Sequence, residues 1–279
     1  MNLCQKARRI GFAGVGIAMG LAGPSFAARA DAPKTRSAPA PPPALELKIK
    51  TSPYRPSVGA SVTINATVSS VDTSASTTGG KRVVSGLFLV RDDLGGLFFE
   101  EPTEKDETFQ SVLTLPSGGQ WRVFGSVATE GDTEGPPPES IVGPVTLTVD
   151  GARPLRASLI PQMMPFVRTG SYSLSLGQPT RITTGDTQRL IFTLVDNQSQ
   201  QVSDMDLWRG ALAHLVLVDR DLKTLIHVTP DASDPRTGRT GTLVFPTRFP
   251  KSGIWRGWVL FYRGAQVVTL PLVLRVLGR

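Results

Sequence analysis

Cysteine is all but missing from this 279-residue chain: the single one, Cys4, lies close to the N-terminus. Histidine occurs twice, as His214 and His227, tyrosine three times, and aromatic residues make up 7% of the whole. Each scarcity excludes something. Beyond Cys4 no disulfide framework, thiolate nucleophile or sulfur-ligated metal site is open to the chain. No G-x-S-x-G elbow, H-E-x-x-H pair or glycine-rich phosphate loop occurs, so no catalytic constellation assembles and the chain reads as a non-enzyme. After the first 30 residues no segment reaches the ~18 consecutive apolar residues of a membrane helix. No segment of ten or more residues shows a helical period with caps, which leaves strands and turns.

Charge is also scarcer than the total suggests. Of 30 basic residues, Lys6, Arg8, Arg9 and Arg29 fall in the first 30 positions, which hold no acid. This stretch has a basic start, an apolar centre from Ile10 to Ala22 and the small-residue end PSFAARA, the pattern of a secretory signal peptide over residues 1–30. Cleavage is expected after Ala27, Ala28 or Ala30, and the pair Arg8–Arg9 leaves a twin-arginine route open. Thirty basic residues less these four leave 26 against 23 acids, a nearly balanced product with no basic stripe for nucleic acid. The expectation is a periplasmic or extracellular protein without a transmembrane segment once the signal is removed. Residues 31–44, DAPKTRSAPAPPPA, offer almost nothing to bury and read as a Pro-rich spacer.

What the chain does have is a repeat. Gly86 to Pro102, GLFLVRDDLGGLFFEEP, returns without a gap as His214 to Pro230, HLVLVDRDLKTLIHVTP, with seven of 17 positions identical. About one would be shared by chance. A second block follows each copy, LPSGGQWR ending at Arg122 and FPKSGIWR ending at Arg256. Its glycine is expected to make a tight turn and its tryptophan, Trp121 or Trp255, to fill the core. Around these blocks lie period-2 segments such as LELKIK at Leu45 to Lys50 and SVTINATV at Ser61 to Val68, matched by YSLSL at 172–176 and GDTQRLIFTLVD at 185–196. About seven short strands per ~100 residues predict an all-β chain of two tandem immunoglobulin-like antiparallel sandwiches. They are expected over residues 45–150 and 170–279, joined by a connector at 151–169. Met163 and Met164 in that connector are expected to pack at the junction rather than to bind copper, because adjacent side chains on an extended strand point to opposite faces.

Both histidines belong to the second copy. Symmetric pairing about Arg220 and Asp221 would set His214 directly opposite His227, with β-carbons ~4.5 to 5.5 Å apart. Two imidazoles so placed suit a copper or zinc ion, and His214 and His227 are the candidate metal ligands; no other cofactor is expected. The alternative is that they are buried and hydrogen-bonded. The first copy has Gly86 and Phe99 at these positions and cannot bind metal in this way. Charge also divides the copies: EEPTEKDE at 100–107 is acidic, whereas 231–256 carries Arg236, Arg239, Arg248, Lys251 and Arg256. Such loops would either be solvated or orient one domain or molecule against another.

The run from Thr193 to Pro230 resembles a domain of exported bacterial proteins described as uncharacterised and sometimes found near heavy-metal handling systems. The resemblance covers about Tyr172 to Val276 and rests on an AHLV strand, a D-L turn and an H-V-x-P ending. Family members commonly carry a further histidine where this chain has Thr229. The sequence thus leaves two readings: a non-catalytic binding or assembly module whose partner is an envelope protein or polymer, and a periplasmic protein that binds copper or zinc through His214 and His227.

Overall fold

The computed structural model describes residues 45–70, 81–106, 108–129, 139–161 and 166–279. The expected signal peptide and spacer, and Met163 and Met164, lie outside the described residues. The first copy contributes β1 (Leu45–Ser52), β2 (Ser61–Ser70), β3 (Arg82–Arg91), β4 (Leu97–Glu100), β5 (Thr103–Lys105), β6 (Thr108–Thr114), β7 (Gly119–Thr129) and β8 (Glu139–Val149). The second contributes β9 (Phe166–Thr169), β10 (Tyr172–Gln178), β11 (Ile182–Thr183), β12 (Thr187–Asp196), β13 (Ala213–Asp219), β14 (Leu225–Val228), β15 (Thr242–Arg248), β16 (Gly253–Arg263) and β17 (Gln266–Leu277). Among the described residues there is no helix, and so none long and apolar enough to cross a membrane.

The first sandwich pairs a β1-β2-β6-β5 sheet with a β4-β3-β7-β8 sheet. In immunoglobulin terms these are the A-B-E-D and C′-C-F-G sheets, so the expected all-β tandem class is what the strands build. The second repeats the scheme with a β15-β12-β10-β9 sheet and a β11-β17-β16-β13-β14 sheet. Residues 166–169, expected in the connector, instead form β9 and pair with β10, because Gly170 at a φ of 57° permits a tight turn between them. β1 and its counterpart β10 each end on a cis-proline peptide, Ser52–Pro53 and Gln178–Pro179. The shared G-x-W-R block works as its composition suggests. Gly119 and Gly253 take the left-handed φ values of 118° and 129°. Trp121 and Trp255 are then fully buried in their own sandwiches, each donating its indole N–H to the carbonyl four residues earlier, Ser117 or Lys251, at 3.3 Å.

A third apolar cluster lies between the sandwiches. Phe88, Val90, Leu94, Phe99 and Phe124 of the first meet Val216, Val218, Leu222, Leu225, Trp258 and Leu260 of the second, all at 8% exposure or less. Along β3, Leu87 and Leu89 enter the sandwich core while Phe88 and Val90 enter this interdomain core; along β13, Leu215 and Leu217 alternate likewise with Val216 and Val218. That is why LFLV at 87–90 and LVLV at 215–218 are apolar at every position instead of every second one: each strand is covered on both faces. Phe88, Val90, Leu94 and Phe124 are the repeat equivalents of Val216, Val218, Leu222 and Trp258, so each copy offers the same patch to the other, as in a twofold-symmetric dimer. Burying a large apolar side chain is worth about 1.5–3 kcal/mol. With that many contributors the two sandwiches form one compact unit rather than independently moving beads.

The D-L turn serves this interface. Leu94 and Leu222 hold φ values of 62° and 56°, a left-handed conformation that costs a non-glycine residue about 1–2 kcal/mol. Both side chains are buried in the interdomain core, which offsets that cost.

Candidate functional site

The register of the β13–β14 hairpin departs from the symmetric expectation. Val216 stands opposite His227 and Val218 opposite Leu225, so His214 and His227 are diagonal and not directly opposed. The turn is longer because the Asp219 carboxylate accepts the amides of Lys223, at 2.8 Å, and Thr224, at 2.6 Å, holding both in the turn. The slip is by two residues, which preserves the face on which each side chain stands. His214 and His227 therefore still meet, with ring centroids 5.2 Å apart, and they do so inside the interdomain core.

The two imidazoles form part of a hydrogen-bonded chain that spans the sandwiches. His214, 1% exposed, places Nε2 2.9 Å from the Trp208 carbonyl, and an oxygen there can only accept, so Nε2 carries the proton. His214 Nδ1 lies 3.0 Å from His227 Nε2. His227 Nδ1 lies 3.5 Å from the Glu139 carboxylate at the start of β8, on the other sandwich. The His227 hydrogen bond holds the Glu139 carboxyl down at about 2, against the smaller opposing effect of burial. Burial pushes His214 down to about 4, against the Trp208 carbonyl, which favours its charged form.

Aromatic rings enclose the pair. Phe99 sits 5.2 Å from the His214 ring and 5.3 Å from His227, Phe88 lies 5.0 Å from His227, and Trp208 meets His214 edge-on at 5.2 Å. The Arg209 guanidinium stacks on Phe99 and Trp208 at 4.7 and 4.8 Å and reaches Glu100 of the first copy at 3.4 Å. One of its nitrogens, Nη1, is buried without a partner. A cleft of about 570 Å³ opens beside this cluster, lined by Gly86, Glu101, Ser126, Glu139, Arg209 and the two histidines, among others.

Gly86 and Phe99, the residues that replace the histidines in the first copy, are mutually fitted. A β-carbon on Gly86 would come within 2.8 Å of the Phe99 ring, so the missing side chain is what admits the phenyl group. Gly86→Ala should cost about 1–3 kcal/mol by overpacking, read as a lower denaturant midpoint; an unchanged midpoint would show that Phe99 yields freely.

Of the residues in this cluster, sequence reasoning singled out only the histidines as site residues. Trp208 is packed at the interdomain core, against His214. Glu139 had no local signal, because it acts from the other copy. Phe99 was visible only as the repeat equivalent of His227. Among the described residues, four of the basic side chains of 231–256 have partners within their own sandwich. Arg236 pairs with Asp234, Lys251 with Asp219, Arg248 binds the Gly185 carbonyl, and Arg256 lies over Trp258. The interdomain ion pair with the acidic segment comes from Arg209 instead. Among the described residues no group of three or more His, Cys, Asp or Glu is arranged to hold a metal ion.

Comparison with solved structures returns tandem immunoglobulin-like domains. The Escherichia coli adhesin FdeC matches at 18% identity over 84% of this chain and 66% of that one, with a TM-score of 0.27. The Yersinia pseudotuberculosis adhesin InvE matches at 12% identity over 81% and 58%, with a TM-score of 0.23. The I67–I69 fragment of titin matches at 11% identity over 85% and 66%, with a TM-score of 0.20. The chain thus spans less than two-thirds of the length of each of these structures. No curated protein matches the sequence. Residues 167–278, the second sandwich, match the family model of a domain of unknown function, DUF8832.

Proposed function

We propose that this chain is an exported, non-catalytic binding or assembly module of the bacterial cell envelope, working in the periplasm or at the cell surface. The observation that carries this reading is a difference between the copies. In the second sandwich β10 is covered on its outer edge by β9, whereas its equivalent, β1, pairs among the described residues with β2 alone. The open backbone of β1 borders a groove of about 720 Å³ lined by Ile49, Lys50, Tyr54, Arg55, Val145 and Leu147, in which Tyr54 is 85% exposed. An unpaired strand beside a groove is a means of taking up an extended segment. The apolar interface that locks the sandwiches makes the module a stiff support for it. Export itself rests on the signal pattern of the first 30 residues.

The test is retention of envelope components by the tagged mature protein across a salt series. A retained partner that competes with a β1-derived peptide is expected, and no retained component under any condition would count against the reading.

A second reading, copper or zinc binding by His214 and His227, is favoured by one specific observation. Each outer ring nitrogen has an acceptor, the Trp208 carbonyl or the Glu139 carboxylate, which is how supporting groups fix metal-bound imidazoles. The inner nitrogens converge to 3.0 Å, and a cation there would take the place of the contact between them. Titration of the mature protein with each metal should then show micromolar or tighter binding that His214→Ala abolishes; no binding would remove this reading.

A further inference from the structure

We infer that β1 is the strand through which two copies of this chain pair, antiparallel, about a twofold axis at Lys48. The inference rests on the binding reading above and names its partner.

Among the described residues the four sheets present eight edge strands, and seven of them are poor templates. β4, β5, β9, β11 and β14 have four residues or fewer, β8 carries Pro144 and β15 carries Pro246. β17, which β11 covers only at Val276 and Leu277, carries Pro271. Short edges and prolines are the devices by which sheet proteins avoid edge-to-edge association. Among the described residues β1 alone is a long edge strand, eight residues, with no proline, and its register with β2 is unbroken.

Its side chains also choose the occupant. On β1 the even-numbered Glu46, Lys48 and Lys50 point outward, Leu47 is buried, and Leu45, Ile49 and Thr51 are half-buried. A twofold axis perpendicular to the sheet keeps each face on its own side, so only residues of the same parity can stand opposite one another. With the axis at Lys48, Glu46 of each copy faces Lys50 of the other, Leu47 faces Ile49, and residues 45–51 all pair. Lys48 meets its own counterpart, but Glu46 of the same chain lies 3.3 Å away and compensates that charge. Moving the axis to Ile49 sets Lys48 against Lys50 twice, and moving it to Leu47 shortens the paired stretch. Opposed charges on neighbouring strands attract and like charges repel, so the sequence LELKIKTS complements itself best in the first of these arrangements.

Sedimentation equilibrium of the mature chain at low salt should give twice the monomer mass at tens of micromolar. Lys50→Glu, which sets Glu46 against a glutamate on both sides, should weaken the dimer about tenfold or more, and Glu46→Lys combined with Lys50→Glu should restore it. Thermal melts of these exposed-site variants check that the fold is intact. Since the mature chain has no cysteine, Lys48→Cys should form a disulfide-linked dimer on mild oxidation. A monomer at every concentration, a dimer indifferent to Lys50→Glu, or a charge swap that fails to restore pairing overturns the proposal. Efficient linkage through Leu47→Cys instead overturns the register. A monomeric chain that retains an envelope partner, and loses it in Lys50→Glu, would sink self-pairing while leaving the binding reading intact; a monomer that retains nothing would sink both.

Discussion

Phe88→Ala should convert a single cooperative unfolding transition into two, seen by calorimetry, with a loss of about 3–5 kcal/mol. Phe88 is fully buried, stacks on Phe99 at 4.5 Å and touches His227, and its side chain belongs to the interdomain core and not to the core of its own sandwich. The control is the next residue. Leu89 is equally buried but points into the first sandwich, so Leu89→Ala should lower that sandwich's stability by about 2–5 kcal/mol while leaving the second sandwich's contacts in place. Amide exchange separates the two cases: Phe88→Ala should raise exchange in β13 and β14 across the interface, and Leu89→Ala chiefly within β3 and its own sheets. One transition for both variants, with the same exchange pattern, would mean that the interface does not couple the sandwiches as its burial implies.

Acid should destabilise the metal-free protein in a window set by the buried histidine. His214 has a folded value of about 4 against an ordinary 6.5, so between these pH values the unfolded chain binds the extra proton and the folded one resists it. Stability from this group is therefore complete above pH 6.5 and lost as pH falls through 4. At 1.36 kcal/mol per unit the loss is about 3 kcal/mol for a group this buried. The groups facing His214 are His227, Arg209 and, beyond His227, Glu139. Glu139, held at about 2, adds a further loss in the same direction below pH 4.5. Denaturant melts in the presence of chelator should show stability falling from pH 7 to pH 4, and His214→Phe should flatten that slope even though it removes a hydrogen bond from His227 and another from the Trp208 carbonyl. A slope that survives in His214→Phe would assign the acid sensitivity to other groups.

The two sets of residues involved were unequally visible beforehand. Trp121 and Trp255 announced themselves because a tryptophan after a turn glycine, repeated in both copies, has few roles besides core packing. The strands were equally legible, since alternation of apolar and polar residues is a local property of one segment. The histidine pair was visible in part: the repeat showed that both imidazoles are peculiar to the second copy, and parity put them on one face. Their register was missed because the length of the turn depends on the Asp219 carboxylate capturing two amides, which no spacing rule encodes. Trp208, Arg209 and Glu139 were missed because they reach the pair from a loop before β13 and from the other sandwich.

The sequence by itself determined that this is an all-β chain of two related sandwiches, that both tryptophans of the repeated block are buried, and that the copies differ at two histidine positions. Each follows from a pattern within a few residues or from comparing one copy with the other. Tertiary structure decided that the copies meet face to face through the same patch, that the histidines are enclosed there beside a carboxylate of the other copy, and that, among the described residues, β1 pairs with β2 alone while β10 pairs with both β9 and β12. The apolar runs LFLV and LVLV carried the first of these in outline, as strands too hydrophobic to have a wet side. Which surface would cover the second side is settled only when the two sheets meet, since hydrophobic burial fixes how much area must be hidden and shape alone selects the partner.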